Sequence, residues 1–130
     1  MRNELIENNP LLKKSIKFSF AVIENCEKSE VEKKFVLARQ LVRSASSIGA
    51  NSMEALNPES NADFKHKIKT AAKEADETQH WLKLCNYLKS YPDRNHLLKK
   101  PEELTRIIGK ILTTSKRKTP FSYQLSFFYF

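Results

Sequence analysis

Apolar residues recur at helical spacing in four stretches of the chain, each separated from the next by a polar break. In the first stretch Leu12, Ile16, Phe20 and Ile23 fall three or four residues apart, with Cys26 one turn on. That is the period of one helix face. Leu11, Phe18 and Val22 widen the stripe, so this helix is apolar around much of its circumference and predicts more than one neighbour. Asn9-Pro10 marks its start: Asn caps, and Pro takes the first helical position, where a missing N–H costs nothing. The helix is expected over about residues 10–27. Ser29-Glu30-Val31-Glu32 then has the form of a capping box. It predicts a second helix over about 30–56, with Phe35, Ala38, Leu41, Val42, Ala45, Ile48 and Ser52 inward, closed by Asn57-Pro58.

Ser60-Asn61-Ala62-Asp63 opens a third helix, expected over 61–90, with an acid in its first turn. Phe64, Ile68, Ala71, Ala75, Thr78, Leu82 and Cys85 keep a seven-residue beat along it, the seam of a bundle. Trp81, Leu84 and Leu88 extend the seam near the far end. Pro92–Lys100 reads as a connector anchored by Leu97 and Leu98. Pro101-Glu102-Glu103 begins a fourth helix over about 101–117, with Leu104, Ile107, Ile108, Ile111 and Leu112 apolar and Lys116-Arg117-Lys118 matching its C-terminal dipole. Short connections between four such helices predict an all-α, antiparallel up-down-up-down four-helix bundle. It forms a single domain over 1–118, followed by a tail over 119–130.

The middle of the second helix, Leu41–Ala55, is rich in small residues: Ser44, Ala45, Ser46, Ser47, Gly49, Ala50 and Ser52. Small side chains let another backbone come close, at a cost of about 1 kcal/mol for a glycine in a helix. Arg43, Asn51 and Glu54 stand among them. The turn between the second and third helices is short, so counting outward from it puts Arg43 level with Glu74, Gln40 with Glu77, and Glu54 near Lys65 or Lys67. Arg43, Asn51, Glu54, Glu74 and Glu77 are therefore expected as a polar network fixing the register of these helices. A ligand site is the sharper alternative.

Charge adds a functional question. The net charge is +8, which suits a nucleic acid or an acidic protein, and equally a surface of solvated lysines. Lys65, Lys69 and Lys73 form a ridge at four-residue spacing on the third helix, and Lys13, Lys14 and Lys17 form another on the first. Either ridge could neutralise phosphates. The candidates for catalysis are weaker. Glu77-x-x-His80 and Asp63-x-x-His66 resemble half-sites of a carboxylate-bridged metal centre. They lie 14 residues apart on one helix, roughly 21 Å, and cannot share a site; His96 falls in the connector. No serine or cysteine has a recognisable base, and no glycine-rich phosphate loop is present. No enzyme, metal or cofactor is expected. Cys26 and Cys85, isolated at apolar positions, read as buried reduced thiols. The opening residues carry no apolar leader and no run reaches the roughly 20 residues of a membrane span, so a cytoplasmic protein is expected.

Pro120–Phe130, PFSYQLSFFYF, is uncharged, with Phe121, Tyr123, Leu125 and Phe127 alternating as in a strand. An exposed segment of this kind is an aggregation hazard, and it is expected to dock on its own bundle or on a neighbouring subunit, or else to hang free.

Taken together, Ser47-Ile48-Gly49-Ala50-Asn51 with Glu54-Ala55, Asp63-Phe64 with Lys67, and Lys73-Glu74-Ala75 with Glu77-Thr78 and Trp81-Leu82 resemble bacterial four-helix-bundle proteins encoded in intervening sequences of 23S ribosomal RNA genes. The resemblance covers about residues 10–118. It implies an antiparallel bundle and, as in the similar accessory subunits of diversity-generating retroelements, a basic homopentameric ring. Such assembly would bury the apolar surplus of the first helix. The retroelement subunits work with a reverse transcriptase and nucleic acid. The expected function is thus a non-enzymatic, oligomeric, nucleic-acid-binding accessory factor. The alternative is a protein assembly or adaptor module. The aromatic tail departs from the family pattern.

Overall fold

The computed structural model describes residues 2–31 and 35–116. A short helix α1 (Arg2–Glu7) leads into four long ones: α2 (Pro10–Val31), α3 (Phe35–Glu54), α4 (Asn61–Tyr87) and α5 (Lys99–Lys116), with a single 3-10 turn at Asn95–Leu97. The tail and Arg117-Lys118 lie outside the described residues, as do Glu32 and the side chain of Phe35.

The bundle is antiparallel throughout. Along the α2–α3 seam Ser19 Oγ lies 3.3 Å from the Ala45 carbonyl and Cys26 Sγ lies 3.8 Å from that of Ala38. Between α3 and α4, Arg43 reaches Glu74 while Glu54 reaches Lys67. Gln79 donates to Thr105 (3.4 Å), and Asn25 accepts from Arg94 (2.6 Å) while Lys14 pairs with Glu103, so α5 runs against both α4 and α2. The order α2, α3, α4, α5 goes around a square.

Local chemistry explains the ends. Asn9 Oδ1 accepts from the Leu12 amide (3.2 Å). Ser60 Oγ accepts from the Asp63 amide (3.0 Å), and Asp63 Oδ2 accepts in return from that of Glu59 (3.0 Å), a reciprocal cap. Ser29-Glu30-Val31, expected to open the second helix, instead continues α2. The sequence there offers good helix formers on both sides, and a capping box is overruled where the preceding helix is not broken. α5 starts two residues before Pro101, since every N–H of a first turn is without an intrahelical partner and proline is tolerated anywhere in it.

All seven residues of the expected α4 seam are buried: Phe64, Ile68, Ala71, Ala75, Thr78, Leu82 and Cys85. From α3 come Ala38, Leu41, Ala45, Ile48 and Ser52, and from α5 Leu104, Ile108 and Ile111. The expectation for α2 is corrected. Its core face is Leu11, Leu12, Ser15, Phe18, Val22 and Cys26, while Ile16, Phe20 and Ile23 are 44%, 69% and 41% exposed. The cause sits on α3. A Cβ on Gly49 would lie 3.4 Å from that of Ser15, so the two backbones approach where both helices carry small residues. Ser15 and Ser19 take the seam, and the larger side chains of α2 rotate out.

One buried charged group was not foreseen. Arg94 in the connector is fully buried, its guanidinium donating to Asn25 and lying 3.4 Å from Cys85 Sγ. It ties the α4–α5 connection to α2. Burial pushes the Cys85 thiol above its ordinary range, although the Arg94 charge opposes this.

Candidate nucleic-acid interface

The heptad that buries Phe64, Ile68, Ala71 and Ala75 turns Lys69 and Lys73 outward, and leaves Lys65 half-buried at the edge of the same ridge. None of the three makes an ion pair among the described residues. The ridge on α2 differs. Lys13 pairs with Glu7 (3.1 Å) and Lys14 with Glu103, whose carboxyl is held below its usual range by that hydrogen bond. Lys17 stands beside a cleft of about 80 Å³ floored by Phe18, Ala21 and Leu104. Two of the three α2 lysines are thus already neutralised within the chain, and the two sequence-equivalent ridges are electrostatically unequal.

Two cations escaped the sequence reading. The Gln79–Thr105 hydrogen bond sets the α4–α5 register, and antiparallel counting then places Lys110 level with Glu74, one residue from Lys73. Arg106 lies one turn before it. Both are exposed. Their four-residue spacing was the available signal, masked by the acids of the same helix. Asp76 and Glu102 are also exposed on these helices and interrupt the positive surface.

The expected polar network divides into separate pieces. Arg43 pairs with Glu74 (3.3 Å) and with Glu77, and its Nε donates to Gln40 (3.3 Å). Glu77 accepts from Trp81 Nε1 as well (3.1 Å). These bonds, the Arg43 one foremost, lower the Glu77 pKa, and Glu77 in turn raises that of Arg43. Gln40 thus reaches Arg43 rather than Glu77. Glu54 pairs with Lys67 (3.1 Å) and not with Lys65. Asn51 joins neither, donating to the Ser47 carbonyl on its own helix (2.8 Å). At the buried centre of this seam Thr78 Oγ1 lies 2.9 Å from Ser44 Oγ and 2.7 Å from the Glu74 carbonyl. These contacts fix α3 against α4.

Among the described residues no three His, Cys, Asp or Glu side chains converge as metal ligands, and no helix is long and apolar enough to cross a membrane. What the arrangement offers is a row of ammonium groups on one helix, unpaired among the described residues, able to meet phosphates at a spacing of about 6 Å along the axis.

A family model described as 23S rRNA-intervening sequence protein matches residues 7–110. A crystal structure of a protein of unknown function from the S23 ribosomal protein family of Bacteroides thetaiotaomicron superposes with a TM-score of 0.73 at 30% identity, covering 78% of this chain and 97% of that one. No curated protein matches.

Proposed function

The chain belongs to the 23S rRNA-intervening sequence protein family, and from that premise we propose that it is a non-catalytic, homo-oligomeric accessory protein that binds RNA or DNA through the outer face of α4 and α5. The observation that carries this reading is the pair Lys69 and Lys73, exposed and without ion pairs among the described residues, in a chain of net charge +8. Lys65 and Arg106 extend the face. Lys13 and Lys14 contribute less, because Glu7 and Glu103 already neutralise them. Assembly is supported by Val36, Tyr87 and Leu88, apolar side chains exposed at the same end of the bundle. Those three also favour the second reading, a protein adaptor whose lysines serve solubility.

Replacing Lys65, Lys69 and Lys73 with Gln separates the two. Each lost phosphate contact lowers the slope of log affinity against log salt by about 0.7–0.9, so three lower it by about 2 to 2.7. Molar mass by light scattering stays unchanged. An unaltered slope would remove the α4 ridge from the interface.

A further inference from the structure

The seam between α2 and α5 opens in a cleft of about 80 Å³, lined by Lys14, Lys17, Phe18 and Ala21 of α2 and by Lys100, Glu103 and Leu104 of α5. Ala21 is its cause on the α2 side. Phe18 before it and Asn25 after it carry larger side chains along the same flank, and the single methyl between them leaves space. Phe18 and Leu104 make a buried apolar floor. Lys14, Lys17 and Lys100 are exposed around it, their stems as walls and their charges toward water.

These charges are not balanced. The Lys14–Glu103 pair sets the register of α2 on α5, and antiparallel counting then puts Lys17 level with Lys100. Glu103 is the one carboxylate among the lining residues, and Lys14 already holds it. Lys17 and Lys100 make no ion pair among the described residues. Glu24, the next acid along α2, is about 10 Å further up the axis from Lys17. Two ammonium groups facing each other across a gap repel unless an anion comes between them.

Size selects the rest of the occupant. A cavity of about 150 Å³ accommodates benzene, and a drug-sized ligand takes about 300 Å³ or more. A cleft of about 80 Å³ rejects a nucleobase or an aromatic ring and admits one aliphatic side chain.

We propose that the cleft is a docking notch for an acidic segment of a partner protein. The segment inserts one side chain of leucine size against Phe18, Ala21 and Leu104 and sets flanking carboxylates against Lys17 and Lys100. This goes beyond the nucleic-acid reading and does not depend on it. Ile16, Phe20 and Ile23, which assembly would cover, are on another flank of α2, so the two surfaces do not compete. A second copy, itself of net charge +8, is a poorer match to a rim of lysines.

The test is nuclear magnetic resonance of the full-length protein titrated at low salt with the end-capped peptide Glu-Asp-Leu-Asp-Glu. The proposal expects saturable shifts of the Ala21 amide and the Leu104 methyls at millimolar peptide or below. Replacing the peptide's leucine with serine should weaken binding about tenfold. No saturable shift at these residues, or equal binding of the serine peptide, overturns the proposal. Ala21→Leu fills the cleft without changing a charge. It is expected to weaken the peptide about tenfold and to leave oligomer mass and RNA affinity as they were. A fall in oligomer mass would make a second copy the occupant, and a fall in RNA affinity would give the cleft to nucleic acid; either overturns the proposal. Lys17→Gln with Lys100→Gln leaves the core untouched and should weaken the peptide several-fold while flattening its salt dependence. Unchanged peptide affinity in that variant overturns it as well.

Discussion

Ser15 sits at a close approach of α2 and α3, and its hydroxyl is fully buried with no hydrogen-bond partner among the described residues. Its neighbours in the seam are Gly49, whose Cβ position lies 3.4 Å away, and the turn of α3 holding Ala45. A buried hydroxyl without a partner costs about 1–3 kcal/mol in lost hydration. Ser15→Ala removes that penalty and adds a few tenths of a kcal/mol of helix propensity. The oxygen removed leaves a gap of atomic size, which at about 24 cal/mol per Å³ forfeits only a few tenths. The net expectation is a gain of about 1 kcal/mol, or about 3–5 °C in Tm for a chain of this length. Urea unfolding followed by helical circular dichroism reads it as a higher midpoint at unchanged slope. The contrasting variant is Ser44→Ala, whose hydroxyl lies 2.9 Å from Thr78 Oγ1 and 3.3 Å from the Leu41 carbonyl. It is expected to lose about 1 kcal/mol. A loss at Ser15 as large as that at Ser44 would refute the reasoning, since it would mean that the Ser15 hydroxyl is bonded after all.

Other expectations follow from single contacts. A Cβ on Gly109 meets nothing within 4 Å among the described residues, so Gly109→Ala should gain about 1 kcal/mol in the same assay and leave oligomer mass unchanged. The Glu77 pKa is lowered by Arg43, so the stability from this pair is fully present above the ordinary carboxylate range and is lost as pH falls through the lowered value. Unfolding midpoints from pH 7 to pH 3 should therefore show a modest acid loss that Arg43→Gln reduces without abolishing, since the Trp81 bond to Glu77 and the Lys14–Glu103 pair remain; the difference is below about 1 kcal/mol because the pair is largely exposed. Cys26 and Cys85 are buried, and burial raises the Cys85 pKa. Neither thiol should react with a disulfide reagent at neutral pH until the protein unfolds, whereas a fast-reacting thiol in the native state would contradict the packing around Arg94.

The fold was legible wherever one face of a helix was apolar and the other was not. α4 is the clear case: its polar residues leave a single seven-residue pattern, and all seven expected positions are buried. The register of α3 on α4 was also readable, because a short turn leaves little freedom in counting: Arg43 meets Glu74 as the count requires, while Glu77, counted level with Gln40, pairs with Arg43 as well. α2 defeated the same reasoning. Its apolar residues surround the helix, so periodicity could not choose a face. The choice was made by Gly49 and Ala45 on a different helix, which draw Ser15 and Ser19 into the seam. Arg94 was hidden for a related reason, since nothing local distinguishes a connector arginine that finds Asn25 across the bundle from one in water.

The candidate interface was legible as residue types and spacing but not as free charge. Lys13, Lys14 and Lys17 looked equivalent to Lys65, Lys69 and Lys73 in sequence. Only the positions of Glu7 and Glu103 separate them, and those depend on how α1 and α5 pack against α2. Lys110 comes level with Lys73 along the axis through the α4–α5 register, which no local pattern encodes, but two turns after Glu103 it stands on the flank of α5 nearer α2.

The most direct test of the nucleic-acid reading is fluorescence anisotropy of a labelled structured RNA and of a DNA duplex, titrated with the full-length protein at two salt concentrations. The account predicts micromolar or tighter binding that weakens steeply as salt rises. No binding at the lower salt would contradict it and leave the protein-adaptor reading in its place.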